Sequence, residues 1–217
     1  MGESAKQLRY VDIGVNLGDP VFRGEYHGKK VHDDDLRDVI ERAVNVGCQK
    51  FMVTGSDLQE SKHAIQVARD HAGLCFATVG VHPCQAKLFD SYPQGPAAYL
   101  AEVKALALEA KESGHAVAFG EIGLDYDRLF LSPKDQQLKY FEAQLDVAVG
   151  VQLPLFLHSR AASEDFERIL SSRLPKLPKG GLKGCMVKGR NEPVTISRVA
   201  QVIARVKGIT VEEVCEA

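Results

Sequence analysis

Two stretches of sequence decide the fold: AVAFGEIGLD, residues 116–125, and LPLFLHSR, residues 153–160. Each contains a near-continuous apolar run, Ala116–Ile122 in the first and Leu153–His158 in the second. Such runs are typical of strands in a parallel sheet that is covered on both faces. Each apolar run leads directly into polar side chains, so both stretches predict a strand with chemistry at its carboxyl end.

The interval between the two stretches predicts a helix. Ser132-Pro133 places proline at the first helical position, and Gly150 stands just past the expected end. One face of this helix is apolar, with Leu138, Phe141, Leu145 and Ala148. A strand, a helix and a second strand in this order predict a βαβ unit with parallel strands.

The same alternation covers the chain that precedes residue 116. Further apolar runs predict strands at Tyr10–Leu17, Lys50–Thr54 and Cys75–Val81. Helices are predicted from the Asp33–Asp35 cap to Gly47, from Ser56 or Asp57 to Gly73, from Ala97 to Ser113, and from about Ala161 to Leu170. The fold class is therefore α/β with a parallel sheet, and such sheets bind their ligands at the carboxyl ends of the strands.

Composition sets limits on function. The chain has 217 residues, of which 45% are hydrophobic and 26% charged, and these values are typical of one globular domain. The net charge of −2 gives no global attraction to nucleic acid or to an acidic membrane. The five cysteines form no C-x-x-C pair, and Met1–Arg9 lacks the apolar run of a secretory signal. We expect no membrane segment and an intracellular, reducing compartment.

Polar side chains that are able to bind metal ions stand at the ends of at least four predicted strands. A carboxylate and an imidazole from neighbouring strands suit Zn²⁺, Mn²⁺ or Mg²⁺, and one carboxylate can bridge two ions. The candidate ligands are Glu121 on the fourth run and His158 on the fifth. Candidate supporting or substrate-binding residues are Asp12 and Asn16 on the first run, His82 after the third, Asp125 on the fourth and Arg160 on the fifth.

Each candidate also has a structural interpretation. Glu121 and His158 end apolar runs, where a polar group is costly unless it is paired or bound to metal, so both interpretations stay open. For His82, which precedes Pro83, shaping the turn is the favoured role. Asp12 and Asn16 are as well suited to capping or orienting as to coordination. A cysteine hydrolase is a remote alternative, with Cys84 near His82 as its only suggestive pair.

Six motifs, in order, resemble the TatD family of metal-dependent deoxyribonucleases, which are TIM-barrel hydrolases. The match is carried by the following segments: Asp12-Ile13-Gly14-Val15-Asn16-Leu17, Thr54-Gly55, Gly80-Val81-His82-Pro83, Gly120-Glu121-Ile122-Gly123-Leu124-Asp125, Pro154-Leu155-Phe156-Leu157-His158-Ser159-Arg160 and Arg190-Asn191-Glu192-Pro193. The detail is most similar to the eukaryotic members, which are described as nuclear.

The resemblance implies a function and a site. It implies DNA as substrate, a pair of divalent ions (Mg, Mn or Zn), and a nuclear or cytoplasmic location, with no protein partner indicated. Glu121 stands where the family has its bridging glutamate, and His158 stands where it has a histidine ligand. Arg160, Lys188 and Arg190 become candidate phosphate contacts, although solvated surface cations are the more common case.

The sequence also departs from the family pattern. The His-x-Phe-Thr-Gly and Thr-Asp-Ala-Pro motifs, which supply a further histidine and an aspartate, do not occur in it. We therefore expect one domain over 1–217 with an internal deletion near 179–188, about five of eight βα units, and a C-terminal helical segment. We expect no sixth strand between Ser171 and Asn191, and weak or absent DNA cleavage. The alternative function is a non-catalytic shortened form that binds metal or a partner.

Overall fold

The computed structural model describes residues 10–177. Its main sheet has five parallel strands that lie side by side in chain order. They are β1 (Tyr10–Val15), β4 (Cys48–Val53), β5 (Cys75–Val79), β6 (Ala116–Asp125) and β7 (Leu155–Arg160). All five predicted strands are thus present. The predicted α/β class is confirmed, in the form of a TIM-barrel-like half-barrel with helices.

At least one helix follows each strand of the main sheet along the chain. They are α1 (Leu36–Asn45), α2 (Leu58–Asp70), α3 (Lys87–Ser91), α4 (Pro96–Glu112), α5 (Lys134–Val151) and α6 (Ser163–Arg173). The apolar stripe of α5 is buried, as predicted, with Phe141 and Leu145 at 1% and 0% exposure. These side chains pack in one core with residues of the sheet such as Val79 and Phe119.

The start and end of α5 differ from the prediction. Pro133 is the N-cap and the helix begins at Lys134, while the Ser132 hydroxyl is buried and donates to the carbonyl of Cys84 at 3.0 Å. Gly150 lies inside the helix, which continues to Val151 and ends at Gln152 in the left-handed conformation. Ser132 and Gly150 were thus predicted to mark the two ends of α5. In the fold the Ser132 hydroxyl bonds to a distant residue instead, and Gly150 is part of the helix.

A small hairpin was not predicted. Strands β2 (Glu25–Tyr26) and β3 (Lys29–Lys30) pair antiparallel through the turn His27-Gly28, whose φ angles are 51° and 74°. Two positive φ angles define the primed turn that suits two-residue hairpins. Strands of two residues are too short to produce an alternating pattern, so no sequence pattern predicts them.

Several predictions concern the part of the chain beyond residue 177. Ser171–Leu177 contains the end of α6 and a short 3-10 helix, Leu174–Lys176, so no sixth strand begins there. The rest of the Ser171–Asn191 interval, the deletion near 179–188, Lys188 and Arg190 lie outside the described residues. The single domain over 1–217 stays a prediction. Within residues 10–177, no helix is long and apolar enough to cross a membrane.

Candidate metal site

Glu121 and His158 meet at the carboxyl ends of neighbouring strands. In the register of β6 and β7, Gly123 pairs with His158. The Nδ1 atom of His158 lies 2.8 Å from Oε1 of Glu121. The predicted proximity of these two residues is confirmed. Their role as metal ligands remains a proposal.

A glycine makes this close pairing possible. Gly123 has φ of 153°, and a Cβ atom at this position would lie 1.8 Å from the carbonyl oxygen of His158. That distance is far inside van der Waals contact, so any side chain would push β7 away from β6. The glycine that the sequence places two residues after Glu121 therefore sets the distance between the two site strands.

Asp125 fixes the orientation of the His158 ring. Its Oδ2 atom lies 3.1 Å from Nε2 of His158, and its carboxylate is almost fully buried. Because a carboxylate accepts, Nε2 of His158 must carry a proton, which leaves Nδ1 directed at Glu121. A carboxylate that holds the outer nitrogen of a histidine ring is the usual support of a metal-binding histidine.

The Glu121–His158 contact requires a positive charge between its two atoms. In the neutral ring with Nε2 protonated, Nδ1 is an acceptor, and the carboxylate oxygen 2.8 Å away is also an acceptor. Two acceptors at this distance repel each other unless a proton or a metal ion lies between them. The chemistry of this donor set therefore fits a divalent cation that competes with a proton for Nδ1.

His82 reaches the same point from β5. Its Nε2 atom lies 3.2 Å from Nδ1 of His158 and 4.0 Å from Oε1 of Glu121. Its Nδ1 accepts the backbone N–H of Cys84 at 3.1 Å, which caps the turn that follows β5. The predicted structural role of His82 is thus present, but the side chain also belongs to the site.

One ligand atom from each of Glu121, His158 and His82 lies within 4.8 Å of the others, so one ion is able to contact all three. His82 differs from the other two. A neutral ring whose Nδ1 accepts from Cys84 carries its proton on Nε2, and Nε2 is then a donor. In this arrangement Glu121 and His158 are prepared for metal, whereas His82 presents an N–H to the centre.

The electrostatics agree with these assignments. The hydrogen bond to Glu121 raises the pKa of His158, and burial opposes this only partly. Burial would raise the pKa of Glu121, but the contact with His158 and the charges of both histidines outweigh it and lower the pKa. Burial lowers the pKa of His82, which favours the neutral ring. The site therefore combines the Glu121 carboxylate with two different histidines. His158 has a raised pKa and favours a positive charge on its ring, whereas His82 has a lowered pKa and favours the neutral ring.

Arg160 and Cys84 contact the same carboxylate as His158. Arg160 Nη1 lies 3.4 Å from Oδ2 of Asp125, and Cys84 Sγ lies 3.8 Å from it. Burial and the neighbouring Asp125 raise the pKa of the Cys84 thiol. A thiol that resists ionisation is a poor nucleophile, which argues against a cysteine hydrolase.

An open cleft of about 440 Å³ adjoins the pair. It is strongly acidic, and burial raises the pKa of Glu60 within it. Its lining consists of Asn16, Asp19, Pro20, Thr54, Ser56, Asp57, Glu60, His82, Gln85 and Glu121. The candidate Asn16 thus shares a cleft with Glu121 and His82. Asp12 is exposed and accepts the backbone N–H of Gly14 at 3.1 Å, and no hydrogen bond among residues 10–177 joins it to the pair.

Two buried glutamines of α5 hold the backbone next to the site. Gln144 accepts from the N–H of Val81 at 2.8 Å and donates to its carbonyl at 3.0 Å. Gln137 accepts from the N–H of Asp125 at 2.7 Å and donates to its carbonyl at 2.9 Å. Sequence reasoning missed both residues. The one available signal was their seven-residue spacing beside the apolar stripe of α5.

A parallel α/β sheet whose strand ends bring together a carboxylate and two imidazoles is the architecture of the metal-dependent TIM-barrel hydrolases. Comparison with known proteins gives the family. The family model described as TatD related DNase matches residues 11–186. The chain belongs to this family.

Three relatives show how far the similarity extends. Deoxyribonuclease Tat-D of Schizosaccharomyces pombe is 54% identical over 178 residues, which cover 82% of this chain and 56% of the relative. The 3'-5' ssDNA/RNA exonuclease TatD of a Rahnella species is 38% identical over 181 residues, covering 83% and 60%. A crystal structure of an uncharacterized amidohydrolase from Saccharomyces cerevisiae has a TM-score of 0.61 at 35% identity, covering 75% and 51%. The chain thus spans little more than half the length of these relatives.

Proposed function

We propose that this chain is a divalent-metal-dependent nuclease that hydrolyses phosphodiester bonds of DNA. The observation that carries the proposal is the 2.8 Å contact between His158 Nδ1 and Glu121 Oε1, with Asp125 holding the other ring nitrogen. The names of the two curated relatives, a deoxyribonuclease and a single-stranded DNA/RNA exonuclease, support the substrate class.

Glu121 and His158 would hold the metal. A bound divalent ion would polarise a phosphoryl oxygen and lower the pKa of a water molecule. A Glu121 carboxylate with two oxygens is also able to serve two ions, so the proposed pair of Mg²⁺, Mn²⁺ or Zn²⁺ ions is compatible with the residues present. His158 provides one nitrogen only, because Asp125 occupies the other.

The acidic cleft explains why a nuclease at this site needs cations. Four carboxylates line it, those of Asp19, Asp57, Glu60 and Glu121, while the net charge of the chain is −2. A phosphodiester would be repelled by this surface alone. Divalent ions held by Glu121 and His158 would offset this negative charge locally and allow a phosphate to approach.

Two further side chains are placed to act on the phosphate. The neutral His82 ring presents Nε2–H to the centre, where it would donate to a phosphoryl or departing oxygen. Arg160 is about half exposed, since 47% of its side chain is accessible, so its guanidinium would contact a backbone phosphate while Asp125 orients it. Asn16 would contact the nucleotide that occupies the cleft.

The test compares the purified chain with Glu121→Gln and with a matched control, Glu112→Gln, on the exposed end of α4. Duplex DNA, single-stranded DNA and single-stranded RNA are incubated with Mg²⁺, Mn²⁺ or Zn²⁺. We expect weak metal-dependent cleavage that Glu121→Gln abolishes and Glu112→Gln retains. Cleavage that persists in Glu121→Gln, or that needs no metal, would refute the proposal.

Calorimetry on the same variants distinguishes the nuclease from the alternative function. If calorimetry shows metal binding that depends on Glu121 while no nucleic acid is cleaved, the chain is a metal-binding form without catalysis, as the missing motifs predict. The nuclear location that the resemblance implies stays a prediction, which imaging of the tagged chain in cells would test.

A further inference from the structure

At the level of the site, the strands no longer pair with a neighbouring strand on both sides. β5 ends at Val79, which pairs with Phe119 of β6, and beyond that level the described part of β6 pairs with β7 alone. Val81 lies beyond the end of β5, and Asp125 lies on β6 beyond the level that β5 reaches, so in the described part of the chain the backbone groups of both residues need partners other than a strand at the position of β5. Buried groups of this kind need other partners.

Gln144 and Gln137 supply those partners. Each uses its amide oxygen for the N–H and its amide nitrogen for the carbonyl of a single residue, Val81 for Gln144 and Asp125 for Gln137. Gln137 also donates to the carbonyl of Ser132 at 2.8 Å. The two glutamine side chains are 1% and 2% exposed, so water does not compete for these bonds.

The two glutamines act from one face of one helix. They are seven residues apart in α5, so an ideal helix places them within about 20° of each other and about 10.5 Å apart along the axis. Val81 precedes His82, and Asp125 holds the ring of His158. One rigid element therefore reaches both histidines of the site through the backbone.

We propose that Gln137 and Gln144 are positioning residues that hold His82 and the Asp125–His158 pair in register with Glu121, an inference that rests on the proposed metal site. Neither glutamine contacts the metal-binding atoms. Gln137 acts through Asp125, which holds the outer nitrogen of His158, and Gln144 acts through Val81, the neighbour of His82. Glu121 is held by a different contact, which involves neither glutamine: its backbone N–H donates to the carbonyl of Gly55 at 3.2 Å.

The test uses Gln137→Met and Gln144→Met, which preserve length and remove the hydrogen bonds. Leu145→Ala, on the same helix and fully buried, is the control for loss of stability without contact to the site backbone. Mn²⁺ binding to the full chain is measured by calorimetry. We expect Gln137→Met to weaken Mn²⁺ about tenfold, in the range of outer residues that support metal ligands, and Leu145→Ala to leave the affinity unchanged. Gln144→Met acts through His82, which presents an N–H to the centre, so it should leave Mn²⁺ affinity nearly unchanged and shift the ¹⁵N signal of the His82 Nε2–H.

A second readout does not depend on metal. In the metal-free protein, ¹⁵N NMR of the imidazoles reports the Nε2–H of His158 in its bond to Asp125, and we expect Gln137→Met to shift or broaden this signal and Leu145→Ala to preserve it. Failure of the wild type to bind Mn²⁺ would refute the metal site, whereas an unshifted imidazole signal in Gln137→Met would overturn the positioning role. Wild-type Mn²⁺ affinity in a folded Gln137→Met variant, or an unshifted His82 signal in a folded Gln144→Met variant, would overturn it as well.

Folding of the variants is checked by circular dichroism. If a Met variant does not fold, Gln137→Asn and Gln144→Asn replace it, because they keep the amide without adding charge and lengthen its hydrogen bonds by shortening the side chain by one methylene. The proposal then expects a smaller but measurable loss of Mn²⁺ affinity in the Gln137 variant and a smaller shift of the His82 signal in the Gln144 variant. Equal loss in Leu145→Ala would show that the effect is general destabilisation and would overturn the assignment.

Discussion

The Nε2 atom of His158 lies 3.1 Å from Oδ2 of Asp125, and this contact determines which nitrogen of the ring faces Glu121. Asp125 accepts a hydrogen bond from the protonated Nε2, so Nδ1 is left to bind a cation. Asp125 therefore sets the direction of the Nδ1 lone pair of His158, although its own carboxylate does not contact the metal-binding atoms of Glu121.

Replacing that aspartate should damage metal binding while the fold persists. We expect Asp125→Asn to weaken Mn²⁺ about 10–100-fold, because an amide holds the required tautomer less firmly than a carboxylate does. Asp127→Asn, two residues away and exposed, is the matched control. Calorimetric titration measures both. Equal affinity in the two variants would show that Asp125 does not orient His158.

His82 should separate catalysis from metal binding. As an N–H donor it contributes to the rate, so His82→Ala should lower kcat by about 100-fold or more and leave Mn²⁺ affinity nearly unchanged. His82→Gln, which carries an N–H near the position of Nε2, should recover part of the rate. His115→Ala, at a partly exposed histidine whose ring bonds the Ser113 hydroxyl, serves as the control. A large loss of Mn²⁺ affinity in His82→Gln would instead identify His82 as a ligand.

Gly123 should tolerate a methyl group far less well than another glycine with positive φ. Gly114, with φ of 74° and no atom near the added methyl, should lose about 1–2 kcal/mol of unfolding free energy as Gly114→Ala. Gly123→Ala should lose more, because its methyl meets the carbonyl of His158, and it should also weaken Mn²⁺. Urea unfolding with metal titration compares the two variants, and similar losses would contradict the assigned packing.

Asp165 should make stability depend on pH. Lys134, Tyr126 and Arg168 bond to its carboxylate at 2.7–2.9 Å, and Lys134 contributes most to lowering its pKa. Because the folded-state pKa lies below the unfolded value of about 3.9, the stabilisation is complete at neutral pH and is lost as the pH falls through the folded pKa. Asp165→Asn should therefore be less stable than wild type at pH 7, with the gap closing in acid.

Thermal unfolding from pH 2 to pH 8 measures this gap. Glu164→Gln, the exposed neighbour in the first turn of α6, is the control and should give a curve parallel to wild type. A constant difference between Asp165→Asn and wild type at every pH would mean that the carboxylate charge does not contribute.

Cys75 should resist alkylation. Burial raises its pKa to about 11, and its side chain is 1% exposed, whereas Cys48 is partly exposed. Since the thiolate is the reactive form, iodoacetamide at pH 8 should label Cys48 first and reach Cys75 only when urea unfolds the chain. Peptide mapping by mass spectrometry distinguishes the sites. Comparable rates in the folded protein would contradict the burial of Cys75.

The strands and the Glu121–His158 contact were predictable because local pattern specifies them. A near-continuous apolar run gives a buried strand, and two such runs one βα unit apart bring their carboxyl ends together. The proximity of Asp125 and Arg160 follows from the same register, in which these two residues pair.

The supporting residues were not predictable, because their roles depend on contacts between distant parts of the chain. Gln144 meets Val81 across 63 positions, and Ser132 meets Cys84 across 48. His82 was interpreted as a turn residue because Pro83 follows it, and only the fold shows that the same ring also faces His158. Buried polar side chains have no periodic signature, so these assignments require coordinates.

The seven-residue interval between Gln137 and Gln144 also restricts how the gene is able to change. A one-residue insertion or deletion between them would rotate one glutamine by about 100° about the axis of α5 and shift it by about 1.5 Å. Substitutions on the exposed face of α5 would leave both backbone contacts intact, whereas a change of length inside the helix would break at least one. Natural variation in this region should therefore consist of replacements, with length changes confined to the loops before Lys134 and after Val151.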